Sequence, residues 1–277
     1  MAVTVEQVTA LLERWLGAPP RDVEQIHGGM ETSVWAFGES VLRLYGGAAE
    51  LGKAQNEYQA LKGLHRVGYP VPKVHGFDPE GPFIIMERVP GGTLSHTDIR
   101  AFTDLLVRLH RLDPEAVWPG RPAEPILAQA EALLQPHVEA APLLAWFRAQ
   151  APSVAPGPAG VLHGDFHPGN VLRRPDGALV VIDWSGCRVG DPRLDLGWSL
   201  VLAPFMGVDP TALVECYQEL RGEAVRDLSF FEALALGRML GYLLAQPLPE
   251  LADMIGALVD RVQKLTGIAL SVGKFSL

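Results

Sequence analysis

The chain opens with apolar residues at helical spacing: Val5, Val8, Leu11, Leu12 and Trp15 fall on one face of a 3.6-residue period. That pattern predicts a short helix packed on the body, ended by Gly17 and Pro19-Pro20. The period then shortens to two. Strands are predicted at Val23 to Ile26, Val34 to Phe37 and Val41 to Leu44, the last two joined through Gly38-Glu39-Ser40 as a hairpin. A helix is expected from about Ala48 to Val67. Two further strands, near Val71 to Phe77 and Phe83 to Val89, are split by the Asp78-Pro79-Glu80-Gly81-Pro82 turn. Five strands and one helix make a small sheet lobe.

Pro90-Gly91-Gly92 is the first strong break, so the chain is expected to divide into lobes at 1–89 and 90–277. Beyond it the pattern is helical. Ile99, Phe102, Leu105, Leu106, Leu109 and Leu112 line one face, with Ser95 or Thr97 as candidate N-cap. Val171 to Arg173 and Ala178 to Ile182 read as a hairpin through Pro175-Asp176-Gly177. A later helix has Asp209 as cap, Pro210 at its first position and Gly222 near its end.

Composition narrows the class. A net charge of −9 and a pI near 5.4 argue against a nucleic-acid partner, which wants clustered Lys and Arg. Cys187 and Cys216 supply neither a disulfide framework nor metal-type spacing, and suit a reducing cytoplasm. No apolar run is read as a membrane span, and no membrane partner is expected. The acidic, amphipathic N-terminus is unlike a signal peptide. Oligomeric state is not readable.

The chemistry is concentrated in His163-Gly164-Asp165-Phe166-His167-Pro168-Gly169-Asn170 and Val181-Ile182-Asp183-Trp184. An acid, an amide five residues on, and a second acid closing an apolar strand are what phosphoryl transfer needs: one carboxylate for the acceptor hydroxyl, an amide and a carboxylate for Mg²⁺. With Gly164 after the first His and Ser185 after Trp184, the pair of segments resembles the aminoglycoside phosphotransferase family, the small-molecule branch of the kinase-like fold.

The resemblance implies an α+β, two-lobed protein-kinase-like fold, with a small antiparallel-sheet N-lobe and a mainly helical C-lobe. It implies an ATP- and Mg²⁺-dependent enzyme moving the γ-phosphoryl group to a hydroxyl of a small molecule. Asp165 is then the catalytic base, and Asn170 and Asp183 the metal ligands. His163 packs the loop, His167 either approaches the phosphate or packs, and Asp195 accepts hydrogen bonds from the loop backbone. Asp191 reads as an N-cap for the helix after Pro192. In the small lobe, Arg43 takes the place of the commoner strand Lys. It is expected to pair with Glu57, which lies on the helical face of Ala54 and Leu61. His27-Gly28-Gly29-Met30-Glu31-Thr32-Ser33 is a degenerate phosphate loop offering the Ser33 hydroxyl. Met86, Glu87 and Val89 fall where the backbone reads the adenine edge.

Other readings stay open. A strict aminoglycoside or other antibiotic phosphotransferase is one, and a nucleotide-binding pseudokinase another. A binuclear metallohydrolase would use the Asp165-x-His167 pair but needs a G-N-H segment the chain lacks. From Leu200 to Leu277 there are nine acids against six bases, spread among apolar positions. That is poor complementarity for a polycation. A smaller or less charged acceptor is therefore expected, such as an amino alcohol, a sugar derivative or another hydroxylated metabolite.

Overall fold

A computed structural model describes residues 3–28, 32–47, 50–245 and 252–270. The chain forms two compact units: 1–94 with 116–118 and 169–187, and 95–115 with 119–168 and 188–277. A single cut after Val89 does not describe this division. The segment 169–187 packs with the first unit because its strands pair there.

In the first unit, helix α1 (Val5–Leu16) starts at Thr4, whose side chain and that of Gln7 form a reciprocal capping box, and stops at Gly17 in the left-handed conformation. Of its predicted face only Val8 and Leu12 are buried; Trp15 stays 39% exposed. The sheet is built from β1 (Glu24–Gly28), β2 (Thr32–Phe37), β3 (Ser40–Tyr45), β4 (Val74–Asp78) and β5 (Phe83–Glu87), in the order β1-β2-β3-β5-β4. Every pairing is antiparallel.

Alternation along the strands sorts their side chains. Trp35, Phe37, Leu42, Phe83 and Ile85 pack with Val8 and Leu12 of α1. Val34, Val41, Arg43, Tyr45 and Met86 take the other face, where helix α2 (Leu51–Arg66) presents Glu57. Strand β4 begins three residues later than expected, since Pro70 and Pro72 lack the N–H a ladder uses. The expected start of α2 at Ala48 lies outside the described residues. A second, three-stranded sheet joins β6 (Gly92–Thr93), β8 (Val171–Arg173) and β9 (Leu179–Val181) in the order β6-β8-β9.

The second unit is mainly helical: α3 (Ile99–His110), α5 (Ala128–Leu134), α6 (Ala141–Gln150), α7 (Arg193–Leu202), α8 (Pro210–Arg221), α9 (Leu228–Ala245) and α10 (Ala252–Thr266). A short α4 (Pro114–Val117) follows α3 in the chain. The cap of α3 is Asp98 rather than Ser95 or Thr97; its carboxylate takes the Ser95 N–H.

Helix α9 has 18 residues and is long and apolar enough to cross a membrane by length and composition, a stretch the hydropathy reading passed over. More than half of it is buried, with its own Phe231 in one cluster with Phe147, Trp198 and Val259 of other helices, so it serves as the central core helix. Helix α7 approaches it closely. A Cβ on Gly197 would lie 2.5 Å from the Phe231 carbonyl oxygen. Strand β7 (Gly160–Leu162) pairs with β10 (Arg188–Gly190), and so holds His163 near the chain that leads into α7.

Candidate active site

Each unit carries part of the predicted chemistry. In the first, hairpin β8–β9 pairs Val171 with Val181, and the Ile182 N–H donates to the Asn170 carbonyl at 2.9 Å. Asn170 and Asp183 therefore emerge at the same end of one hairpin. Asp183 has φ +64°, a left-handed conformation unusual for a non-glycine residue and found where a site imposes strain. Its Oδ1 accepts from Arg43 at 2.8 Å and from Ser185 at 3.1 Å, while Oδ2 has no partner among the described residues. Trp184 turns inward and is fully buried, its indole N–H donating to the Val181 carbonyl at 2.9 Å.

Arg43 is the junction. Its guanidinium reaches Glu57 at 3.2 Å and Asp183 at 2.8 Å. Burial pulls against its charge, but Glu57 and Asp183 more than offset this and hold it above its ordinary range. Glu57 is 1% exposed, and also accepts from the Tyr45 hydroxyl and from the Trp184 N–H at 3.3 Å. A single buried carboxylate thus ties α2, β3 and the Asp183 turn together. Tyr45 was not singled out in the sequence, although it shares the face of Arg43 two residues away. Asn56 was missed as well; its side-chain amide donates to the Ser185 and Cys187 carbonyls at 3.1 and 2.7 Å.

Arg43, Glu57 and Asp183 line one end of a cavity of about 390 Å³. Ile26, Val34, Val41, Met86, Leu172 and Ile182 make its apolar walls, and residues 87–91 complete the lining. Size and lining suit a flat heterocycle with a polar tail. Met86 is buried there, and Glu87 is paired with Arg174 at 2.6 Å. The Glu87 N–H is spent on the Lys73 carbonyl, whereas that of Val89 has no partner among the described residues. Ser33 is not brought to this cavity. Alternation puts it on the side of Trp35, whose indole it accepts at 3.0 Å, opposite Val34. Residues 29–31 of the expected phosphate loop lie outside the described residues.

In the second unit, the loop from His163 to Pro168 is held from beneath. Asp195, fully buried on the first turn of α7, accepts the His163 N–H at 2.7 Å and the Gly164 N–H at 2.9 Å. Gly164 has φ +87°, which a side chain would strain. Burial opposes the charge of Asp195, but His110, Arg188 and His163 more than offset it and keep its carboxyl at about 2. His110 in turn meets the Tyr217 hydroxyl at 2.8 Å. His163 is buried and its Nδ1 accepts the Asp165 N–H at 3.1 Å. Phe166 is buried against Phe102, and its carbonyl takes the Ser199 hydroxyl at 2.7 Å. Asp191 accepts the N–H and the guanidinium of Arg193, one residue inside the helix; Pro192 occupies the cap.

This cradle leaves the Asp165 side chain about 40% exposed. Its Oδ1 accepts from the Trp198 indole at 2.6 Å, and its Oδ2 lies 3.6 Å from His167 Nε2. Burial works against its charge, but His167 and Trp198 favour it more strongly, and the carboxyl is held at about 2. Trp198 was missed because its partner is 33 residues away in sequence.

No cage of three or more His, Cys, Asp or Glu side chains occurs among the described residues. Asn170 and Asp183 offer oxygen donors alone, with one Asp183 oxygen unspent. That fits Mg²⁺, which takes one or two carboxylates and completes its shell with water and phosphate.

A five-stranded antiparallel sheet, a helix carboxylate bonded to a strand cation, and a cradled Asp loop define a kinase-like phosphotransferase. The family model of the phosphotransferase enzyme family matches residues 22–246, and the chain belongs to that family. It is an ATP-dependent small-molecule kinase with a hydroxyl group as acceptor. No curated protein matches it by sequence. Among solved structures it is similar to the choline kinase LicA from Streptococcus pneumoniae, with 19% identity over 95% of this chain and 97% of that one, TM-score 0.69. It is also similar to a choline/ethanolamine kinase family protein from Mesorhizobium loti, with 20% identity over 95% and 93%, TM-score 0.68. A thermostable mutant of an aminoglycoside phosphotransferase, in ternary complex with ADP and hygromycin B, matches at 18% identity over 94% and 98%, TM-score 0.69. At these identities the likeness carries the fold.

Proposed function

We propose that the cavity ending at Arg43 and Asp183 binds ATP, that Asn170 and Asp183 hold its Mg²⁺, and that Asp165 receives the acceptor hydroxyl. The observation that carries the nucleotide half is the Arg43–Glu57–Asp183 cluster in the lining of a mainly apolar cavity. Arg43 stands there, kept charged by Glu57, beside an Asp183 held in a strained conformation with one oxygen unspent. Adenine would lie between the apolar walls, with the Val89 N–H on its edge. The metal, when bound, neutralises charge on the phosphates.

Asp165 has the orientation work. Trp198 and His167 fix its carboxylate, and a carboxyl held at about 2 is a weak base. It therefore accepts the hydroxyl hydrogen bond and takes the proton only late, as the new oxygen–phosphorus bond forms and the bond to the leaving ADP oxygen breaks. A loose transition state asks for no more. The acceptor is a small hydroxylated metabolite, and the setting cytoplasmic, as the free Cys187 and Cys216 suit. ATP titrations by calorimetry, with and without Mg²⁺, test the metal assignment. Asp183→Ala is expected to remove the Mg²⁺-dependent part of ATP affinity more severely than Asn170→Ala, since a carboxylate brings a full charge and an amide only a dipole. Equal, small effects would place the metal elsewhere.

A further inference from the structure

Helix α9 points a cation at the surroundings of Asp165. The Arg238 guanidinium lies 3.9 Å from the centre of the Trp198 ring and 5.5 Å from that of Tyr242. Trp198 is the residue whose N–H holds Asp165. Arg238 has no acidic partner among the described residues, and its Nε is buried without a hydrogen bond. Two acids of this unit are paired with other cations: Glu232 holds Arg261 at 2.6 Å, and Glu124 holds Arg188 at 2.9 Å. A small cavity between Arg238 and Arg188, about 20 Å³, has no acid in its lining and room for one water.

A buried donor without a partner costs stability unless something else satisfies it. A guanidinium on an indole is pre-organised to take a carboxylate or phosphate with its planar fork. The same geometry excludes the opposite chemistry. Trp198 is 5% exposed and its ring carries Arg238 on one face, so it offers little surface to a quaternary ammonium. A polycation would meet a positive charge that has no acidic partner among the described residues, one indole away from the residue that orients its hydroxyl.

We infer that Arg238 selects the acceptor, and that the acceptor is a hydroxyl compound bearing an anionic group, a carboxylate or a phosphate, rather than an amino alcohol or an aminoglycoside. This rests on the reading of Asp165 as the acceptor-orienting residue. Calorimetry on the full chain tests it by binding rather than turnover. The probes are hydroxy acids of three to six carbons, the matching hydroxyl-bearing phosphate esters, neutral polyols of the same size, choline and kanamycin.

At least one anionic probe is expected to bind about tenfold or more tighter than its neutral counterpart, and the acid and ester series tell carboxylate from phosphate. Arg238→Gln should abolish that advantage and Arg238→Lys restore part of it. ATP affinity, read in the same variants, should not move, because the nucleotide cavity is lined by other residues. Choline or kanamycin binding more tightly than every anion overturns the inference. So does an absence of anion binding, or an anion affinity indifferent to Arg238→Gln. A protein that fails to bind ATP overturns the nucleotide assignment instead, and leaves the anion measurement standing on its own.

Discussion

Asp165 shows how little a residue's type says about its task. The Trp198 indole N–H donates to its carboxylate, and His167 lies 3.6 Å from the other oxygen. With its carboxyl at about 2 it is ionised throughout any working pH, so it contributes no acid limb to the rate above about pH 4. Asp165→Asn keeps the size and one acceptor atom but loses the charge and the proton sink. Transfer is expected to fall about 10²-fold or more, with ATP affinity kept. Turnover against an accepted acceptor and calorimetry with ATP check the two halves. Near-normal turnover would remove Asp165 from the chemistry.

At the scale of elements, strand β3 and helix α2 are joined through one ion pair, which makes Arg43 and Glu57 a unit. A double-mutant cycle on ATP affinity, with Arg43→Met and Glu57→Gln, is expected to give a coupling of about 0.5–3 kcal/mol, the range for residues in contact. Additive effects would mean that the strand cation acts alone. The packing of α7 on α9 makes a second case. Gly197→Val would put a branched side chain against the Phe231 carbonyl and should cost about 1–3 kcal/mol, read as a fall in denaturant midpoint.

Elements like these differ in how far they could be read beforehand. Helix α8 was legible to the residue, because Asp209, Pro210 and Gly222 are local signals that tertiary packing does not override. That Glu57 wants a cation was legible from its place in an apolar helical stripe, while the choice of Arg43 came from the resemblance, which puts a strand cation there. The face of Ser33 follows from strand alternation, but the expectation placed it by loop position and missed. Trp198, Arg238 and Asn56 act through partners remote in the chain, and nothing in their neighbours announces it.

For the whole molecule, two carboxyls are depressed to about 2, and of these Asp195 is the fully buried one. A carboxyl whose folded value lies below its unfolded one contributes stability that is complete above the unfolded value. The contribution is lost as pH falls through the folded one. For Asp195 that window runs from about 4 down to about 2, and the contribution is about 2 kcal/mol. Asp195→Asn should therefore be less stable than the parent at pH 7, while its midpoint of urea unfolding falls less steeply between pH 4 and 2. An amide presents one acceptor oxygen where two N–H groups, those of His163 and Gly164, need two. The variant should also lose turnover while its ATP affinity holds, because the loop it releases carries Asp165. Parallel pH profiles for parent and variant would show that Asp195 is as comfortable protonated as charged, and that the cradle under the loop is not electrostatic.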